Sequence, residues 1–143
     1  MGLRKIIKKA VYNLKYIKKK NNSISNSSFL ITGASSGIGL ALTKNLLIKN
    51  KVIAIYNKNR SNLDKIKTRN LIPIKCDLSN YSDFQDLDNA ISQNKIEVII
   101  NCAGTFGSNN QSLDNIDFNN LLKTFKINSV SILKILQLMT KNN

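Results

Sequence analysis

Histidine is absent from the 143 residues, acidic side chains number 8 against 22 Lys and Arg, cysteine occurs twice and proline once. Without histidine, imidazole acid–base catalysis and histidine metal ligation are excluded. Cys76 and Cys102 are too few for a disulfide framework, and their spacing is not that of zinc ligands, so no metal site is expected. No apolar run reaches the about 18 residues of a membrane-spanning helix. A disordered polyelectrolyte is equally excluded, because 42% of the residues are hydrophobic and 21% charged, ordinary globular proportions. The length corresponds to a single domain.

The formal net charge of +14 is unevenly placed. Residues 1–20 carry Arg4, Lys5, Lys8, Lys9, Lys15, Lys18, Lys19 and Lys20 and no acid. Their apolar residues, Leu3, Ile6, Ile7, Ala10, Val11, Leu14 and Ile17, recur every three or four positions, which predicts a basic amphipathic helix. Three readings of this segment stay open: its stripe lies on an anionic membrane surface, it packs on the protein's own body, or it is a solvated tail. Tyr12 and Tyr16 are too few aromatics among the lysines to support nucleic-acid binding. Residues 21–28 are small and polar and read as a linker. The segment has no continuous apolar stretch of the secretory kind, and Ile6 breaks the myristoylation pattern after Gly2, so a cytoplasmic location is expected, with the inner membrane surface as the peripheral variant. Elsewhere the abundance of Asn, Lys and Ile also fits AT-rich coding, so the basic excess of the body does not by itself indicate an anionic partner.

From Phe29 the pattern changes. Phe29–Ile31, Val52–Tyr56, Leu71–Cys76 and Ile96–Ile100 are short apolar segments bounded by turn residues, predicted as strands, with Pro73 an irregularity inside the third. Between them lie helical spacings over Ile38–Ile48, Ser61–Lys67 and Ser82–Ser92, the last two opening on Ser61 and Ser82 as expected N-caps. A further helical stretch runs from about Phe118 to Met139. Strands alternating with helices predict an α/β fold, a doubly wound parallel sheet in the order 3-2-1-4.

Between the first strand and the first helix stands Thr32-Gly33-Ala34-Ser35-Ser36-Gly37-Ile38-Gly39. In that context free backbone N–H groups and the positive end of the helix face any bound phosphate. Gly33 permits the tight turn, Gly37 lets a pyrophosphate approach, and Gly39 allows close helix packing. Three further segments follow in order: Cys76-Asp77-Leu78 after the third strand, Asn101-Cys102-Ala103-Gly104 at the end of the fourth, and Lys126-Ile127-Asn128-Ser129-Val130 in the last helical stretch. On the residues alone each has a plain alternative. Asp77 suits a turn or cap as well as a base contact, Asn101 suits a buried tie between strands, Cys102 is a small packing residue, and Asn128 suits a solvated helix face.

With these four segments, over residues 28–143, the chain resembles the short-chain dehydrogenase/reductase family, in particular its compact reductases with Gly33, Gly37 and Gly39 spaced G-x-x-x-G-x-G. The resemblance implies a Rossmann-like domain over residues 29–143 that binds a nicotinamide dinucleotide and reduces a carbonyl or oxidises an alcohol. It assigns the cofactor to Thr32, Gly33, Ser35, Ser36, Gly37, Ile38, Gly39, Asp77, Leu78, Asn101, Cys102, Ala103 and Gly104, with Asp77 at the adenine, and it makes Asn128 an active-site residue. After the second strand stand Asn57, Lys58 and Arg60, with no acid to repel a 2′-phosphate, so NADP(H) is expected over NAD(H). Against this, Ser36 is not basic and Lys58 and Arg60 are also ordinary surface charges. The family's Ser and its Tyr-x-x-x-Lys pair, expected beyond Asn128, have no counterpart in residues 129–143, and Tyr16…Lys20 lies upstream of the first strand. The chain is therefore expected to be the cofactor-binding part of such an oxidoreductase, truncated after the fourth strand and its helix and inactive alone. A nucleotide-holding module without chemistry and a truncated gene product are the alternatives, and a homo-oligomer is a further expectation.

Overall fold

The computed structural model describes residues 24–107 and 112–142. The amphipathic helix expected over residues 1–20 and residues 21–23 of the linker lie outside the described residues.

Four strands, β1 (Ser28–Thr32), β2 (Lys51–Tyr56), β3 (Leu71–Lys75) and β4 (Val98–Asn101), form one parallel sheet in the order β3-β2-β1-β4. The expected order is therefore the observed one. β1 and β2 read as continuous apolar runs because helices cover both faces of the sheet. Side chains alternate between those faces. Phe29, Ile31, Val52, Ala54 and Tyr56 join one buried cluster with Leu47 and Leu63, whereas Leu30, Ile53 and Ile55 join another with Phe84, Leu87, Ile91, Ile135 and Leu138. The first face is covered by α1 (Gly37–Leu46) and the short α2 (Ser61–Asp64), the second by α3 (Phe84–Gln93) and α5 (Ser131–Asn142). Pro73 fits because β3 is an edge strand. Asn70 accepts from the Val52 N–H and Cys76 donates to the Tyr56 carbonyl, and Pro73, an odd number of residues from both, turns its nitrogen outward.

Several boundaries differ from the expectations, each for a local reason. α1 stops at Leu46 because the Asn50 amide takes over: it donates to the Leu46 carbonyl (3.0 Å) and to that of Ile24 (3.1 Å), and its oxygen accepts from Ser27 N–H (3.1 Å). Residues 24–27 of the expected linker are thereby tied to the body. Ser61 is not the cap of α2; its own N–H donates to Asn59 Oδ1. Ser82 is likewise displaced, since Asn80 accepts from Ser82 N–H and starts a 3₁₀ turn over Tyr81–Asp83 that leads into α3.

The uninterrupted helix expected over 118–139 is three pieces: α4 (Phe118–Phe125), a π-helical turn (Lys126–Val130) and α5. Asp117 caps α4 by accepting from Asn119 and Asn120 N–H. Periodic spacing cannot reveal a one-residue widening of the turn, which arises here where Asn128 reaches out to other backbone and Ser131 Oγ donates back to the Ile127 carbonyl (2.7 Å). Among the described residues no helix is long and apolar enough to cross a membrane.

Candidate cofactor cleft

At the carboxyl ends of the strands, where ligands bind in open parallel sheets, a cleft of about 580 Å³ opens. Its first wall is the turn between β1 and α1. Thr32 is buried under this turn, and its Oγ1 accepts from both Cys102 N–H and Ala103 N–H (3.1 Å each), which stitches the end of β1 to the loop after β4. Gly33 follows with φ +64°, and a Cβ there would come within 2.8 Å of the Ala103 nitrogen. Ala34 N–H donates to the Ile55 carbonyl (2.9 Å), and Asn62 holds the Ser35 carbonyl (3.2 Å), so the loop is pinned from three sides. Gly39 packs on the Gly33 carbonyl, leaving no room for a side chain. The close approach expected of Gly39 is thus to the turn itself.

Gly37 is different. It has φ +51°, and a Cβ built there would meet nothing within 4 Å. Ser36 caps α1 without a side-chain hydrogen bond, and the first turn of the helix carries no acid. The helix N-terminus therefore faces open space with its amides and its dipole uncompensated by any local carboxylate, the arrangement that accommodates a phosphate.

The second wall comes from β2 and β3. Asn57 and Lys58 line the cleft. Arg60 does not; its Nε donates to Asp64 Oδ1 at 2.7 Å, one turn along, with the Tyr56 side chain as a further partner that, like Asp64, raises its pKa. Asp77 and Leu78 line the cleft at the end of β3. Asp77 Oδ1 accepts from Ser79 Oγ (2.7 Å) and Ser79 N–H (2.9 Å). The Ser79 hydroxyl is the largest influence holding this carboxyl below the ordinary range, against the opposing effect of burial, with Lys123 and Asn57 also favouring the anion. Asp77 is therefore an ionised acceptor at the cleft and, at the same time, the turn residue of the alternative reading.

The loop after β4 forms the third wall, with Cys102, Ala103 and Gly104 lining it. Burial raises the Cys102 thiol pKa and pushes that of Cys76 up to about 12, so neither is a ready thiolate. Asn101 is exposed, does not line the cleft, and is not the buried strand tie that its position suggested. Thr32 does that work from the neighbouring strand. Asn128, in the π turn, is not solvated alone: Oδ1 accepts from Thr105 N–H and Nδ2 donates to the Thr105 carbonyl, each at 2.9 Å. It clamps the loop from outside the cleft lining. The structure thus gathers Gly33, Ser35, Ser36, Gly37, Ile38 and Gly39 with Asn57, Lys58, Asp77, Leu78 and residues 102–104, and it leaves Thr32, Arg60, Asn101 and Asn128 around the rim or beneath. Sequence reasoning missed Thr105, Lys123 and Ile127 as lining residues, whereas Asn59 lies within the stretch 57–60 expected at the 2′-phosphate. Lys123 lies one helical turn before Ile127, the only available signal, and it does not say which way the face points.

A family model described as short chain dehydrogenase matches residues 27–142. Among curated relatives, the uncharacterized oxidoreductase TDA5 of Saccharomyces cerevisiae is 32% identical over 128 residues, covering 83% of this chain and 37% of its own length. Ipsdienol dehydrogenase of Ips pini is 29% identical over 125 residues, covering 76% of this chain and 49% of its own. Among solved structures, a short chain dehydrogenase of Burkholderia cenocepacia in complex with NADP superposes with a TM-score of 0.73 at 21% identity, over 84% of this chain and 52% of that one. L-sorbose reductase of Gluconobacter frateurii, complexed with NADPH and L-sorbose, gives 0.69 at 18% identity, over 84% and 48%. This chain spans half or less of the curated relatives' length, and the structural likeness at these identities concerns the fold. With the glycine turn, the sheet order and a family match over nearly the whole described region in agreement, the chain belongs to the short-chain dehydrogenase family of oxidoreductases.

Proposed function

We propose that this chain is the dinucleotide-binding part of an NAD(P)H-dependent oxidoreductase acting on a carbonyl or alcohol, with NADP(H) preferred. The observation that carries the reading is the glycine turn: Gly37 leaves an open, amide-lined approach to the N-terminus of α1, while Gly33 and Gly39 are packed shut on backbone. The residues fit the cofactor. The first turn of α1, with Ser35 and Ile38, takes the pyrophosphate, Asp77 accepts from the adenine amino group, Lys58 pairs with the 2′-phosphate, and Ala103–Gly104 leave room for a ribose. Asn101 and Cys102 complete that loop, Thr32 acts by fixing it, and Arg60 joins Lys58 only by leaving Asp64. The bound nicotinamide supplies or accepts hydride. Asn128 contributes by holding Thr105, which places the loop beside the cleft.

Titration with NADPH and NADH tests this. NADPH is expected to bind about tenfold tighter, the value of one charge-assisted hydrogen bond at a partly exposed site. Lys58→Glu is expected to erase or reverse the preference. Equal affinities in the wild type overturn the NADP(H) preference, and no binding of either overturns the function. The NADP and NADPH in the names of two similar structures agree with the preference. The chain alone is expected to bind without turning over ketones. NADPH oxidation with a ketone panel, abolished by Gly37→Asp, overturns that expectation.

For residues 1–20, contact with an anionic membrane surface is the reading with a direct test. Eight basic residues at about 1 kcal/mol each, less their mutual repulsion, suffice for salt-sensitive binding. Sedimentation with anionic vesicles, lost on deleting residues 1–20 and weakened by salt, is the expected result; equal binding after deletion discards the idea.

A further inference from the structure

Lys123 is the one cation of the cleft besides Lys58 among the described residues. It stands on α4 one helical turn before Ile127 and lines the cleft with it, and Ile127 packs against the buried cluster that contains Leu78, the neighbour of Asp77. Asn128, just beyond Ile127, is bonded to Thr105, so the Ile127 end of this face lies at the loop after β4. Lys123, one turn earlier, lines the same cleft as Asp77 and Leu78, and its charge favours the ionised Asp77 carboxylate. The ion pairs among the described residues are Arg60–Asp64 and Lys141–Asp88, and Lys123 is in neither. Asp77 has its Oδ1 engaged by Ser79, with the Asn57 side chain as a further partner, and its carboxylate lines the same cleft as the Lys123 ammonium.

An anionic acceptor beside a cationic donor is complementary to one edge of adenine. The exocyclic amino group of adenine is a donor flanked by ring nitrogens that accept. We propose that Lys123 is a further cofactor-binding residue that reads the base, donating from Nζ to the ring nitrogen beside the amino group that Asp77 accepts. The inference rests on the dinucleotide reading above. Hypoxanthine replaces the amino group by a carbonyl oxygen and puts a proton on the adjacent ring nitrogen, so it sets acceptor against Asp77 and donor against Lys123. Together the two side chains discriminate against it. The competing role, a second contact to the 2′-phosphate, places Lys123 with Lys58 at the end of β2 and predicts an effect on NADPH only.

Fluorescence titration of the full chain with NADPH, NADH and nicotinamide hypoxanthine dinucleotide separates these roles. The wild type is expected to bind NADH about tenfold tighter than its hypoxanthine analogue. Lys123→Met, which keeps the apolar stem, is expected to weaken NADH and NADPH by the same factor, about tenfold, and to narrow the adenine-over-hypoxanthine ratio several-fold. Lys123→Arg is expected to retain most of the ratio. Lys123 is solvent-exposed, so an unchanged melting temperature accompanies these variants. An unchanged ratio in Lys123→Met, or a loss confined to NADPH, overturns the inference while leaving the function in place. A wild type that binds none of the three overturns both.

Discussion

Gly39→Ala is expected to lower the melting temperature by roughly 10 °C and to abolish dinucleotide binding. The added Cβ falls on the carbonyl of Gly33 and against the Ala34 Cα, which are backbone atoms. That backbone has little freedom to give way. Ala34 is bonded to β2, and Gly33 is itself pressed on Ala103. Overpacking against such a surface costs about 3 kcal/mol, which for a domain of this size corresponds to a shift of that order in melting temperature. Relief comes only from moving the first turn of α1 away from the loop, and that displaces the amides meant for the phosphate. The better intrinsic helix propensity of alanine, about 1 kcal/mol, is too small to compensate. Thermal unfolding followed by circular dichroism, with NADPH titration on the same samples, checks both effects. A Gly39→Ala protein with wild-type stability would show that the turn is not packed as described.

Gly37→Asp is expected to do the reverse: to leave the fold nearly intact and to weaken dinucleotide binding by about a hundredfold or more. The site is open, so no clash arises. The positive φ costs a non-glycine residue about 1–2 kcal/mol, least for Asn and Asp, and a carboxylate at a helix N-terminus returns part of that through the dipole. Binding suffers because the new anion occupies the approach reserved for the pyrophosphate. Like charges brought together at a binding surface cost several kcal/mol, and about 3 kcal/mol is a hundredfold. Gly37→Ala is the control, with the same φ penalty but no charge, and is expected to lose far less affinity. Equal affinities for wild type and Gly37→Asp would mean that no phosphate approaches α1.

The two glycine variants separate roles that a shared motif blends. The sequence context assigns Gly33 to the turn, Gly37 to the phosphate approach and Gly39 to helix packing, and the structure shows what each of them meets. Their physical demands differ because of residues distant in sequence: Ala103, some 70 positions on, presses against Gly33, and nothing presses against Gly37. The same holds for the polar residues around the cleft. Asn101 looked like a tie between strands, yet the tie is Thr32, because β1 is the buried central strand and its hydroxyl lies within reach of two amides that need an acceptor. Arg60 looked like a phosphate ligand, yet an i,i+4 carboxylate engages it. Asn128 on a helical face looked free, yet a widened turn lets it bond both polar groups of one loop residue. Phe118, Leu121, Leu122 and Phe125 of α4 and Leu133 of α5 are exposed, which helical spacing alone does not reveal.

By itself the sequence determined the order of strands and helices, the parallel sheet and the position of the glycine turn. Those follow from local pattern: apolar runs short enough for strands, helical spacing between them, and glycine where a strand must turn into a helix. The sheet order then follows from the handedness of the crossovers. Tertiary structure alone decided which polar side chains face the cleft, which are engaged by their own neighbours, and where the last helix widens. These depend on contacts between β1 and β4, and between the loop after β4 and the π turn, residues separated by 70 and 23 positions in the chain. A hydrogen bond is directional and is decided over tenths of an ångström, and no periodicity in a linear sequence carries that information.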